Sequence, residues 1–214
     1  MQNVTEVLRR ASPAARPQPL AHLDGRLWMG SWDTDRLYAI DPQTWSVTDE
    51  VAAPGKPYGI AAFGGALRVV VSVGDDDDRF LYRFVPGSGF DSASKTPCPD
   101  FTGSHLAADD TELYLCQQGK HRVLALDAAE RELREIALPT RCAGIGFGTG
   151  GRSFIISGDE ELENLALATF DLRATAPAAT AVAAIPFDAR CLAFDGERWW
   201  TSDREANEIV AFTA

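Results

Sequence analysis

Five stretches of this chain lie over one another almost without gaps, and that periodicity constrains its fold more than any other feature. Pro19 to Leu27 aligns with Gly59 to Leu67, His105 to Leu113 and Cys191 to Trp199; a fourth copy opens at Gly144 and needs an extra residue or two before Phe154. The aligned ends fall at 27, 67, 113, 154 and 199, in steps of 40, 46, 41 and 45. A second set follows: Leu37 to Asp41, Leu81 to Val85, Val123 to Asp127, Leu167 to Asp171 and Ile209 to Thr213. These are short β-rich runs between Gly, Pro and Asp turns. An interval of about 40–45 residues carrying four strands is that of one propeller blade.

The sequence therefore predicts an all-β, five-bladed β-propeller of four-stranded blades, one domain over 1–214. With strands lettered a (innermost) to d (outermost), blade one has a at 18–23, b at 26–32, c at 36–41 and d at 46–52. The chain ends after strand c of blade five. Residues 3–8, Asn3-Val4-Thr5-Glu6-Val7-Leu8, read like the d strand of blade one and are expected to pair with the last strand, closing the ring and removing open sheet edges. Ala21, Ala61, Ala107, Gly146 and Ala193 share one inner-strand position, as a narrow axis requires. Of Trp199 and Trp200 on strand b, at least one is expected to pack between blades, and both are read as core.

The first blade, from Gly25 through Trp32-Asp33-Thr34-Asp35 to Ile40-Asp41-Pro42-Gln43-Thr44, resembles blades of glutaminyl cyclotransferase-like propellers and, more loosely, of streptogramin lyase-like ones. The resemblance covers about 40 residues strongly and the rest at the level of blades. It implies action on small amide or ester substrates at the central pocket, by cyclisation or elimination. Ala21 stands where the resemblance leads one to expect an acidic residue.

Composition narrows the partners. A net charge of −11 repels phosphate backbones and anionic lipid, so neither nucleic acid nor membrane is an expected partner. Residues 1–17 hold no apolar run able to serve as a signal segment, and Cys98, Cys116, Cys142 and Cys191 form no Cys-x-x-Cys pair, which favours reduced thiols and a cytoplasmic setting. A monomer or small homo-oligomer is expected.

In a propeller the d-to-a and b-to-c loops open on one face around the axis. Counting back from the repeat places Arg16, Lys56, Arg141 and Arg190 there, a local positive ring on an acidic protein. Converging cations in a concave site favour a small anionic ligand; the alternative is that each pairs with a neighbouring carboxylate. His105 is the leading acid–base candidate because imidazole titrates near neutrality. His121, beside Gln118 in a b-to-c loop, and Tyr58 join it among catalytic candidates. Trp32 and Tyr58 are expected to wall the pocket, and Gln118 to contact the substrate. The acidic loops 75–78 and 159–163 read as solvated, with no metal expected. Without nucleotide, zinc or nucleophile-elbow motifs, no cofactor is expected. The reading is a lyase, cyclotransferase or hydrolase acting on an anionic substrate; the alternative is a non-catalytic propeller for ligand binding or protein docking. Rim residues that differ from blade to blade favour one asymmetric site over five equal ones.

Overall fold

A computed structural model describes residues 1–174 and 177–214. The chain starts with β1 (Thr5–Ala11) and then lays down one antiparallel sheet after another. Blade one is β2 (Pro17–Leu23), β3 (Arg26–Ser31), β4 (Arg36–Ile40) and β5 (Val47–Ala52). Blade two is β6 (Lys56–Phe63), β7 (Ala66–Val73), β8 (Asp78–Val85) and β9 (Gly89–Pro97). Blade three is β10 (His105–Ala108), β11 (Leu113–Gln117), β12 (Arg122–Leu126) and β13 (Glu132–Ala137). Blade four is β14 (Arg141–Phe147), β15 (Ser153–Gly158), β16 (Ala166–Thr169) and β17 (Thr180–Ala184). Blade five is β18 (Ala193–Phe194), β19 (Trp199–Asp203) and β20 (Glu208–Thr213), completed by β1. The fold is the five-bladed propeller that the repeat predicts.

Ring closure is antiparallel, from Thr5 opposite Thr213 to Ala11 opposite Glu208. It also reaches one blade further. Asn3 makes a parallel bridge to Ala184, with Val4 N–H donating to the Ala184 carbonyl at 2.9 Å and Ala184 N–H donating to Gln2 at 2.8 Å. The N-terminal segment thus completes blade five and stitches it to the outer strand of blade four.

The two-residue period of a strand sends alternate side chains to opposite neighbours. Val69 and Val71 pack toward Trp28, Leu37 and Ala39 of blade one, while Val70 between them packs toward Leu106, Leu115 and Leu124 of blade three. The core is accordingly five apolar layers, one per interface between blades. Trp200 lies in the layer between blades five and one and Trp199 in the layer between four and five.

The inner strands converge so closely that side chains are excluded at set points. A Cβ built on Gly144 would stand 2.7 Å from the Cys191 carbonyl carbon, and one on Gly59 would stand 2.9 Å from the Leu106 nitrogen. The extra residues of the fourth copy form a turn over Thr149–Gly151. Blade five has the shortest inner strand, and beside it the Thr201 hydroxyl donates to the Cys191 carbonyl at 2.7 Å.

Several aspartates staple turns. The Asp41 carboxylate accepts from the N–H groups of Gln43 (2.8 Å) and Thr44 (3.1 Å). Asp109, Asp127 and Asp195 accept from following backbone N–H groups in the same way, the turn chemistry that suits Asp to these corners. No helix among the described residues is long and apolar enough to cross a membrane.

Candidate functional site at the upper mouth of the axis

The axis is plugged midway by Leu20, Ile60, Leu106, Ile145 and Leu192, which leave almost no free volume among them. Below the plug a cavity of about 120 Å³ is lined by small and apolar residues, with His22 as its one titratable side chain. The charged and titratable candidates lie above the plug, where the d-to-a and b-to-c loops emerge.

His105 begins β10 and is 4% exposed. It borders the tight space shared with Pro19, Tyr58 and Cys191, and its ring makes no hydrogen bond among the described residues. Burial, reinforced by the charges of Arg190 and Arg204, pushes the imidazole pKa down to about 3, so at neutral pH the ring is uncharged. It offers one acceptor nitrogen and one N–H donor.

Beside it stands a four-layer stack. The Arg79 guanidinium lies 3.4 Å from the Tyr58 ring centroid, Tyr58 meets Trp32 at 4.5 Å with the rings tilted by 45°, and the Arg204 guanidinium lies 5.1 Å from the Trp32 ring centroid. Trp32 is held by an N–H donated to the Pro57 carbonyl at 2.8 Å, and Arg79 by a bond to the Gly103 carbonyl at 2.8 Å and an ion pair with Asp77. Burial raises the Tyr58 phenol above its ordinary value, the nearby Asp77 carboxylate adding to the effect and the Arg79 charge opposing it.

Arg190 and Arg204 converge on one carboxylate, Asp188. Arg190 forms a tight pair with it and also donates to the Ala189 carbonyl at 3.1 Å. Arg204 is held loosely, at 3.9 Å from Asp188 and 3.3 Å from the Gln18 side chain. Burial lowers the Arg190 pKa, with Asp188 opposing the shift and the Arg204 charge adding to it. Arg16 enters the same opening, a cavity of about 390 Å³ lined by Arg16, Asp188, Arg204, Glu205 and Asn207, with Asp33 3.7 Å from its guanidinium.

The other sequence-derived candidates stand elsewhere on this face. Arg141 and His121 meet on Glu160, at 3.0 and 3.8 Å, on the rim between blades three and four. Lys56 lines a separate acidic opening with Tyr58, Asp75 and Asp77 and makes no ion pair among the described residues. Gln118 heads the turn before His121, accepting its backbone N–H at 3.1 Å. The neighbouring Gln117 is buried and ties blade three together through the carbonyls of Pro99 and Thr102 and the Arg122 side chain. All four cysteines are free and buried, and burial raises the Cys191 thiol to about 11, far from a reactive thiolate.

Trp32, Tyr58, His105 and Arg190 are thus brought together, and Arg79, Arg204 and Asp188 complete the group. A signal for Arg204 was available: it lies five residues beyond Trp199, as Trp32 lies beyond Leu27 and Gln118 beyond Leu113. No group of three or more potential metal ligands occurs among the described residues.

No protein-family model matches the sequence, and no curated protein matches it. Solved structures do match. Glutaminyl cyclase of Myxococcus xanthus superposes with a TM-score of 0.73 at 9% identity, covering 99% of this chain and 96% of that one. Virginiamycin B lyase of Staphylococcus aureus gives 0.57 at 12% identity, covering 95% and 82%. Against a hydrazine synthase chain of Kuenenia stuttgartiensis the TM-score is 0.57 at 14% identity, with 90% of this chain and 56% of that one covered. At these identities the likeness establishes a shared propeller fold, distantly related in structure to cyclase and lyase propellers.

Proposed function

We propose that this chain binds a small anionic molecule at the upper mouth of its axis and acts on it by proton transfer, in an elimination, cyclisation or hydrolysis that uses no redox cofactor. The observation that carries the reading is the loose hold on Arg204. Its three neighbours stand at 3.3, 3.9 and 5.1 Å, so its guanidinium is free to turn onto a carboxylate or phosphate. Arg190 and Arg16 add charge to the same opening. His105, buried, borders the tight space beneath. An anion seated there offsets the charges of Arg190 and Arg204 and so restores part of the basicity that the imidazole lacks when the site is empty. Tyr58 and Trp32 define the wall, and Lys56, Arg141, Gln118 and His121 shape the outer rim. A cytoplasmic setting belongs to the same reading: free thiols are the form that a reducing compartment maintains.

Calorimetric titration with a panel of small carboxylates and inorganic phosphate tests the reading. Arg204→Gln is expected to weaken the best ligand at least tenfold, the scale of a lost charge-assisted bond; unchanged affinity rejects the site. A second reading, binding without catalysis, is favoured by the burial of His105 within reach of the Arg190 and Arg204 charges. It predicts that His105→Ala alters affinity alone, whereas the catalytic reading predicts a loss of about 10²-fold in turnover.

A further inference from the structure

Arg9 lies on the closing strand, outside the mouth, yet it holds a carboxylate that borders the site. Its guanidinium pairs with Asp203 at 2.8 Å, Glu208 at 2.7 Å and Glu6 at 2.7 Å, and lies 4.9 Å from the Phe187 ring. Asp203 is buried at the upper end of β19. The segment beside it, leading into β18, carries Arg190: Ala189 bridges Asp203, and Arg190 N–H donates to the Ser202 carbonyl at 3.0 Å. The Asp203 carboxylate is thus paired from the structural side by Arg9, and its charge also reaches the Arg190 guanidinium at the mouth, opposing the lowering of its pKa by burial. Arg204, the residue after Asp203, is the loosely held cation.

Resting on the reading of the mouth as an anion site, we propose that Arg9 is a positioning residue for that site: by occupying Asp203 it keeps this carboxylate from neutralising Arg190 and Arg204, and so leaves them for a carboxylate or phosphate ligand. The ring-closing strand then does two things. It completes blade five, and it sets the charge available at the axis. Without Arg9 the mouth arginines face two carboxylates, Asp188 and an unpaired Asp203, instead of one.

The test is calorimetric affinity for inorganic phosphate and citrate at low ionic strength, with thermal unfolding recorded for every variant. Arg9→Gln is expected to weaken both ions about tenfold, the scale of one added unit charge several ångströms from a bound anion. Arg9→Lys restores most of the affinity. Adding Asp203→Asn to Arg9→Gln also restores it, although the latch stays broken, because the competing carboxylate is gone. Glu6→Gln removes one latch contact while Asp203 stays paired, and leaves affinity within about twofold. A purely structural role for Arg9 predicts the reverse: no rescue by Asp203→Asn, and affinity tracking the unfolding temperature across all variants. That pattern, or wild-type affinity in Arg9→Gln, overturns the inference. Arg204→Gln separates the two levels: if it binds as the wild type does, the mouth is not the anion site and both readings fall; if it binds weakly while Arg9→Gln binds normally, only the role of Arg9 is lost.

Discussion

The Arg79 guanidinium sits 3.4 Å above the Tyr58 ring, and that ring also packs on Trp32, centroid to centroid at 4.5 Å. Arg79 belongs to β8 of blade two, Tyr58 to β6 of the same blade, and Trp32 to the b-to-c loop of blade one. The stack is therefore a fastening between blades as well as the wall of the mouth, and it ends on Arg204 of blade five.

Breaking that stack in the middle has a defined cost. Trp32→Leu removes an aromatic pair, a cation–π contact and the bond to the Pro57 carbonyl, each of which contributes about 0.5–1.5 kcal/mol. A loss of about 2–3 kcal/mol in urea unfolding is expected, together with weaker anion binding as Arg204 loses its support. Stability within about 0.5 kcal/mol of wild type would show that the stack is an incidental contact.

The buried imidazole gives a pH dependence with a definite sign. The His105 pKa falls from an ordinary 6.5 to about 3 on folding, so between these values the unfolded chain binds a proton that the folded chain does not. Stability contributed by the neutral ring is complete above pH 6.5 and falls as pH drops toward 3, by about 1.4 kcal/mol per unit. Denaturant unfolding from pH 7 to 4 should therefore be steeper for the wild type than for His105→Gln. Parallel curves would place His105 in an environment open to water.

The inner strands allow a control within one experiment. Gly144→Ala drives a methyl to 2.7 Å from the backbone of Cys191, whereas Gly119→Ala meets nothing within 4 Å. The first is expected to cost about 1–3 kcal/mol as overpacking, the second to stay within about 0.5 kcal/mol. Equal effects in thermal unfolding would mean that the inner strands do not converge as closely as Gly144 and Cys191 do here.

Removal of residues 2–11 deletes the outer strand of blade five and the stitch to Ala184. The exposed edge of β20 then presents unpaired backbone groups, the template for strand addition. The shortened chain is expected to associate and to lose cooperative unfolding, as read by light scattering and circular dichroism. A soluble, cooperatively folding product would show that the ring holds without its latch.

What the chain announces unaided is whatever depends on local pattern. The spacing from Leu27 to Trp199, the Asp-Gly and Gly-Gly turns, the small residues from Ala21 to Ala193 and the strand-like Thr5-Glu6-Val7 all recur within or between blades, and a recurrent pattern dictates recurrent geometry. The same counting assigned Trp32, Tyr58, His105 and Arg190 to one face. It did not distinguish Arg141, which turns to Glu160 on the rim, from Arg190, which turns to Asp188 beside Arg204. Nor did it select Arg79, Arg204 or Arg9. Periodicity specifies where a backbone position falls in a blade, but a long arginine side chain reaches several ångströms from its own position to carboxylates and rings on other blades. Which partner it meets, and whether that partner is already taken, depends on loops that become neighbours only when the ring closes.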